Sequence, residues 1–471
     1  MPEALKERSE IQEQYKWDLT RMYADDAAWG KALDAFDAQL QGLSAYVGKL
    51  NTAAGLRAWF DAQTQAERTL SDLFCYASLR RSEDTRAEAA QVMYARAMAK
   101  YVQYGETAAF AEPEILALPE ETLKAFLEDS QLAPYRFVME NLLRRKPHTL
   151  SAAEEQLLAS FGEVLTAPGE ISDNLQDADL VFDPVTDSQG GQVEVTGSNY
   201  ILLQSSTDRT LRENAFRSYY KGYRQHINTF AATYSANVKA AAAEARARHY
   251  ESSRAMSMAG ENIPASVYDN LVATVRKHLP AMYRYVALRK KILGVDELHY
   301  YDVYAPLMPD SEARYTYEQA QQMVLDAVAP LGEDYVEQVK KAFATRWIDV
   351  YPNRGKSGGA YSSGSYDSDP YIMTNFTGTL DSVSTIAHEM GHSMHTWHSN
   401  HAQPPQYANY TLFVAEVAST VNENLMIEQL LKKEQEPHAR LALLNQSLET
   451  FKGTLYRQTM FAEFEREAHA M

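Results

Sequence analysis

Asp381-Ser382-Val383-Ser384-Thr385-Ile386-Ala387-His388-Glu389-Met390-Gly391-His392-Ser393-Met394-His395-Thr396-Trp397 carries its large apolar residues at Val383, Ile386, Met390, Met394 and Trp397. Those spacings of 3, 4, 4 and 3 draw one apolar stripe along a helix. Asp381, just ahead of the stripe, is the expected N-cap. His388, His392 and His395 share a different face. Residues at i and i+4 stack one turn apart, so His388 and His392 can bind one metal ion while Glu389 points at its remaining face. The pattern points to a zinc hydrolase; the competing reading is a core helix whose histidines only hydrogen-bond.

A catalytic zinc usually takes three protein ligands and leaves one position open for water. Two residues compete for the third place. His398 lies ten residues after His388, as in H-E-x-x-H-x-x-G-x-x-H, but that pattern needs glycine where this chain has His395. Trp397 continues the apolar stripe, so the helix is expected to run on and carry His398 away from the metal. Glu416 is the better candidate. It lies in Phe413-Val414-Ala415-Glu416-Val417-Ala418-Ser419-Thr420, where Val414, Val417, Val421 and Leu425 recur at 3, 4 and 4 and predict a second amphipathic helix. Ala415, Ala418 and Ser419 are small enough to permit close approach to the first helix. Glu423, seven residues on and on the same face, is placed either to accept a ligand histidine's second N–H or to lie exposed in solvent.

Zinc held by two imidazoles and one carboxylate lowers the pKa of its water to about 7. Glu389 can take that proton and pass it to a departing amine while the metal polarises the peptide carbonyl. Cobalt or manganese can occupy such a ligand set as well.

Further stretches accompany these helices: Asn375-Phe376-Thr377-Gly378-Thr379-Leu380-Asp381, Asn422-Glu423, Gly355-Lys356-Ser357-Gly358-Gly359-Ala360-Tyr361-Ser362, Asp302-Val303-Tyr304-Ala305-Pro306-Leu307 and Ser205-Ser206-Thr207-Asp208-Arg209. Taken with His388 to His395 and Phe413 to Thr420, they resemble the oligoendopeptidase F family, of the thimet-oligopeptidase-like zinc peptidases. The resemblance implies a mainly α fold, with helical lobes around a deep substrate channel and a small β-hairpin or edge-strand element beside the zinc helix. It implies one zinc per chain held by His388, His392 and Glu416, Glu389 as general base, and short peptides as substrates. Such a channel would admit flexible peptides and exclude folded proteins. Relatives carry a later helical region with a histidine and a tyrosine that stabilise the oxyanion, whereas this sequence reaches Met471 without such a motif, so it reads as lacking the C-terminal part of the catalytic domain.

The glycine-rich stretch has a second possible meaning. Gly355-Lys356-Ser357 copies the end of a phosphate-binding loop, but the leading glycine that motif requires is replaced by Val350, so nucleotide binding is rejected. A flexible loop from Gly355 to Ser368 is expected instead. It leads into a strand at Tyr371 to Phe376, whose free edge would pair with an extended peptide unless the segment is an ordinary hairpin. Tyr351, Tyr361, Tyr366 and Tyr371 lie close to the site in sequence, but among 30 tyrosines they are expected to pack or to contact peptide.

The rest of the chain reads as helical, with Ala-, Leu-, Glu- and Gln-rich stretches from Trp29 to about Ala167, interrupted at Gly42, Pro113, Pro119 and Pro134. A hairpin is expected where Leu180-Val181-Phe182 and Val193-Glu194-Val195 flank Ser188-Gln189-Gly190-Gly191. It suggests an N-terminal helical domain over 1–190 and a catalytic domain over 191–471. No apolar run reaches the 18 or so residues of a membrane span. Met1 to Arg8 is charged and lacks a signal-peptide core, and Cys75 is alone, so the cytoplasm is expected. A net charge of −18 argues against nucleic acid or anionic membranes as partners. Oligomeric state is left open. Three functions stay in view: a zinc endopeptidase of short oligopeptides, a zinc carboxypeptidase on a related scaffold, and a peptide-binding fragment without turnover.

Overall fold

The computed structural model describes residues 5–308 and 314–471, with all side chains there except those of residues 152, 156, 159 and 163. Met1 to Ala4, half of the charged N-terminal stretch, lie outside the described residues. The protein is mainly α, with 71% of the chain helical. The described strands are short: β1 (Val185–Thr186), β2 (Gln192–Val193), β3 (Ile348–Asp349), β4 (Tyr361–Ser363) and β5 (Tyr371–Met373). By contact the chain forms two compact units, Met1–Lys146 with Ala313–Glu434 and Pro147–Glu312 with Gln435–Met471. Residue 190 lies within the second unit, while residues 313–434 pack with 1–146 in the first.

In the first unit, helices Asp26–Ser44, Ala53–Glu83 and Glu88–Ala108 bury Trp29, Phe36, Trp59 and Leu73 in one core. Thr52 caps the longest of them by accepting from the Gly55 amide, the orphan N–H that a helix start must satisfy. A second core gathers Trp347, Ile372, Phe376, Val383, Ile386, Met390 and Met394. β5 joins the two. Tyr371 and Met373 belong to the first core and Ile372 to the second, as the two-residue alternation of a strand requires.

Burial on both faces explains the unbroken Tyr-Ile-Met run and its central place. β5 pairs in parallel with β3 (Ile348 opposite Ile372) and antiparallel with β4 (Ser362 opposite Ile372). The expected strand is therefore present over Tyr371–Met373, the first half of the stretch, but both its edges are taken. The edge strands are β3 and β4; β4 lies inside the stretch expected to be a loop, and with β5 it forms a hairpin.

The remainder of that stretch is also tied down. Gly355, at φ +78°, would place a β-carbon 2.0 Å from Asp84 Oδ1, its carbonyl accepts from the Thr85 amide, and the Ser357 amide donates to the Ser82 carbonyl. The Lys356 side chain is buried with its ammonium 2.7 Å from Asp349 Oδ1, and it also donates to the Asp349 and Tyr351 carbonyls. Arg8 pairs with the same carboxylate at 2.6 Å. All three Lys356 donors are engaged within the protein, which agrees with the rejection of a phosphate-binding loop.

In the second unit the hairpin is found with its first strand moved on. β1 starts at Val185, after Pro184, which has no N–H to give a ladder. Phe182 instead stacks on Tyr219, 4.8 Å between centroids. Asp302, fully buried, receives Arg209 at 3.0 Å and Arg212 at 2.9 Å, so two of the stretches quoted above, Ser205 to Arg209 and Asp302 to Leu307, meet in one ion-pair node.

Candidate metal centre

The histidine helix spans Leu380–Ala402 and is capped by Thr379, whose hydroxyl accepts from the Ser382 amide; Asp381, the expected cap, lies in the first turn, where its charge suits the helix dipole. Val383, Ile386, Met390 and Met394 are fully buried, which fixes the rotation of the helix and turns His388 and His392 away from that core. The helix continues beyond Trp397. His398 is exposed, and its ring faces that of Tyr335 rather than the other histidines. His395 stacks on Tyr410, 3.7 Å between centroids.

The glutamate helix spans Leu412–Lys433. Its packed face differs from the expected one: Val414, Val417 and Val421 are exposed, while Ser419, Asn422 and Met426 are buried. The reason is the closeness of the approach. A β-carbon at Gly391 would lie 2.6 Å from Ser419 Cα and 2.7 Å from the Ala418 carbonyl oxygen, so the two backbones touch where a larger residue would separate them. Close contact through glycine, alanine and serine takes the place of an apolar seam.

That crossing brings three ligand-type atoms together. His388 Nε2 and His392 Nε2 are 3.1 Å apart, and each lies 3.4 Å from Glu416 Oε2. His388 Nδ1 is 2.8 Å from Glu423 Oε1. An ionised carboxylate only accepts, so this contact puts the proton on Nδ1 and leaves the Nε2 lone pair facing the triangle. Ser419 Oγ donates to Glu416 Oε2 at 2.6 Å and steadies that carboxylate.

With His392 Nε2 unprotonated as well, converging lone pairs and a carboxylate repel unless a cation lies among them. The triangle's edges match the roughly 3.3 Å that separates ligands held at about 2.0 Å around a tetrahedral zinc. Among the described residues, these three form the one group of His, Cys, Asp or Glu whose ligand atoms all fall within 4.8 Å of each other.

Glu389, 6% exposed, is the buried carboxyl beside this triangle. Burial pushes it up to about 7, while the His388 charge and the Ser362 backbone N–H act in the opposite sense. A cation at the triangle would act as His388 does. The same Ser362, on β4, meets Ser393 of the histidine helix through paired hydroxyls at 2.8 Å. Ser362 and Asn422 are site-shaping residues without a sequence role assigned above. Ser362 acts partly through its backbone, which leaves no side-chain signature, whereas Asn422 had a signal in being an amide in mid-helix. The nearby tyrosines pack: Tyr361 donates to Ser82 Oγ, Tyr366 to the Gln403 carbonyl and Tyr371 to the Asp18 carbonyl, and Tyr351 meets Tyr15 edge-on.

Comparison with known proteins gives the family of the chain. A family model described as peptidase family M3 matches residues 202–471, and one described as Oligopeptidase F matches 114–182. The chain belongs to peptidase family M3. It is 41% identical to the oligopeptidase PepF of Bacillus subtilis over 99% of this chain and 70% of that protein. It is 40% identical to the group B oligopeptidase PepB of Streptococcus agalactiae, over 98% and 77%. The crystal structure of oligoendopeptidase-F from Enterococcus faecium superposes with a TM-score of 0.68 at 33% identity, over 94% of this chain and 75% of that one. As a member of family M3 the chain is a peptidase, and its mainly α fold is that of the family's solved structures. Among the described residues no helix is long and apolar enough to cross a membrane.

Proposed function

We propose that the chain is a zinc endopeptidase of short oligopeptides, with His388, His392 and Glu416 holding one zinc and Glu389 as general base. The observation that carries this reading is the triangle of two imidazole nitrogens and one carboxylate oxygen with a buried carboxyl next to it. Zinc bound there supplies a Lewis acid and a water of pKa about 7. Glu389 takes a proton from the attacking water on its carboxylate and delivers it to the nitrogen of the leaving amine. Glu423 holds His388 in the tautomer that presents Nε2. The Ser362 N–H favours the charged form of Glu389, and β4, an edge strand, offers backbone groups to an extended peptide.

The names of the curated relatives support oligopeptides as the substrate class. A functional division at about 190 is retained as part of the same reading, with a catalytic domain over 191–471. It is supported by the two family-model matches, which end at 182 and begin at 202. The cytoplasm is the proposed location, and short peptides rather than nucleic acid or membrane are the proposed partners.

The test is cleavage of an internally quenched, C-terminally amidated peptide by the zinc-loaded chain beside Glu389→Gln. Internal cleavage by the wild type, with a loss of 10² or more in the variant and zinc content unchanged, is the expected result. Cleavage that needs a free C-terminus would instead identify a carboxypeptidase, and full activity in the variant would remove Glu389 from the chemistry.

A further inference from the structure

Asn422 is 1% exposed in the middle of the glutamate helix, on the face packed against the histidine helix. An asparagine there is unexpected. It is a weak helix former, its amide must be fully partnered once buried, and an apolar residue would pack at lower cost. Its partners explain its presence. Asn422 Nδ2 donates to the Ala387 carbonyl at 3.1 Å, and Asn422 Oδ1 accepts from the Tyr335 hydroxyl at 3.2 Å. Tyr335 lies on a third helix, Glu333–Ala344. One amide therefore joins three helices, and it grips the histidine helix at the residue immediately before His388.

The next residue, Glu423, grips His388 itself through Nδ1. The dipeptide Asn422-Glu423 thus holds two consecutive residues, Ala387 and His388, from one helix turn. The Gly391 contact lets the helices approach but does not fix their relative slide, because small apolar and backbone surfaces in contact are not directional. A buried hydrogen bond between an amide and a backbone carbonyl is directional. A slide of one helical residue, about 1.5 Å, would break both contacts and open the 3.4 Å distances from Glu416 to the two histidines.

We infer that Asn422 is a positioning residue for the metal triangle: its bond to the Ala387 carbonyl sets the register of the glutamate helix on the histidine helix, and so the placement of Glu416 against His388 and His392. The assignment rests on the ligand set proposed above. Buried polar contacts retained for register rather than for stability have precedent in helical assemblies. The same logic predicts that Asn422 matters more to metal affinity than to the stability of the metal-free fold.

The experiment measures zinc affinity by chelator competition, and thermal unfolding of the zinc-free chain by circular dichroism, for wild type, Asn422→Ala, Asn422→Asp and Tyr335→Phe. Asn422→Asp keeps the acceptor for Tyr335 but sets a carboxylate oxygen against the Ala387 carbonyl. Both Asn422 variants are expected to bind zinc about 10- to 100-fold more weakly, the range typical of residues that orient ligands, while zinc-free Asn422→Ala melts close to wild type. Tyr335→Phe, which leaves the Ala387 bond intact, is expected to lose less than either. Wild-type zinc affinity in Asn422→Ala overturns the assignment, as does a weakening no greater than in Tyr335→Phe. If Asn422→Ala does not fold without metal, the role is structural and the assignment also fails. A wild-type chain that holds no zinc overturns the ligand set, and this inference with it.

Discussion

Glu423 decides what His388 offers to a cation. Its Oε1 lies 2.8 Å from His388 Nδ1, and the acceptor-only carboxylate keeps the proton there and the Nε2 lone pair free. Carboxylates in this position also raise the basicity of the imidazole they hold. Glu423→Gln keeps the shape but removes the charge, and the amide can present N–H to Nδ1 and drive the tautomer the wrong way. Zinc affinity measured by chelator competition is expected to fall by about 10-fold or more, with the helical circular-dichroism signal unchanged. An unchanged affinity would leave Glu423 a bystander. The neighbouring Glu389 is governed by burial, which lifts its carboxyl to about 7, against the pull of His388 and of the Ser362 N–H. Two glutamates in one site thus differ through their surroundings, one facing an imidazole N–H and the other sealed among buried groups.

Between helices, the deciding contact is Gly391 against the backbone of Ala418 and Ser419. Gly391→Ala adds one methyl group, which meets backbone atoms at 2.6 and 2.7 Å that cannot turn aside, so the helices must part. Overpacking of this kind costs about 1–3 kcal/mol, although alanine favours helix over glycine by up to about 1 kcal/mol. A lower melting temperature with much weaker zinc binding is expected; a variant more stable than wild type with normal zinc content would show that the crossing is not that tight. This contact also marks the limit of what is legible in the sequence. The histidine helix was readable because Val383, Ile386, Met390 and Met394 repeat at its period and are buried as the repeat predicts. The existence of the glutamate helix was readable and its packed face was not, since hydrophobic periodicity cannot register an interface of glycine, alanine and serine. The valines at 414, 417 and 421 gave the stronger signal and face solvent. β5 was readable as a strand from Tyr-Ile-Met, but its central place depends on β3 and β4, pairings that span 24 and 10 residues between Ile348 or Ser362 and Ile372 and leave no local mark.

For the whole molecule, the net charge of −18 makes acid the informative perturbation, because the buried ion pairs respond to it in a predictable direction. In one unit burial alone would raise the Asp302 carboxyl, yet hydrogen bonds from Arg209, the His299 amide and Arg212 hold it down to about 2. In the other unit Asp349 is likewise held below the usual carboxylate range by Arg8 and Lys356, against its own burial. A carboxyl whose folded pKa lies below its unfolded value of about 3.9 stabilises the fold above that value and loses the contribution as pH falls through the folded one. For Asp302 the window runs from about pH 4 to pH 2 and the contribution is about 2 kcal/mol. Urea unfolding of the chain is therefore expected to show a midpoint that falls steeply below pH 4, beneath the range from about pH 7 to 4.5 in which the raised Glu389 carboxyl takes up its proton and favours the fold as pH drops. Asp302→Asn separates this from general acid expansion. It leaves Arg212 buried without a counter-charge, so it should be destabilised by about 3–5 kcal/mol at pH 6, yet lose less on acidification than wild type does. The same acid slope in both proteins would mean that Asp302 is not the group being titrated, and that the acid response belongs to carboxylates outside the node formed with Arg209 and Arg212.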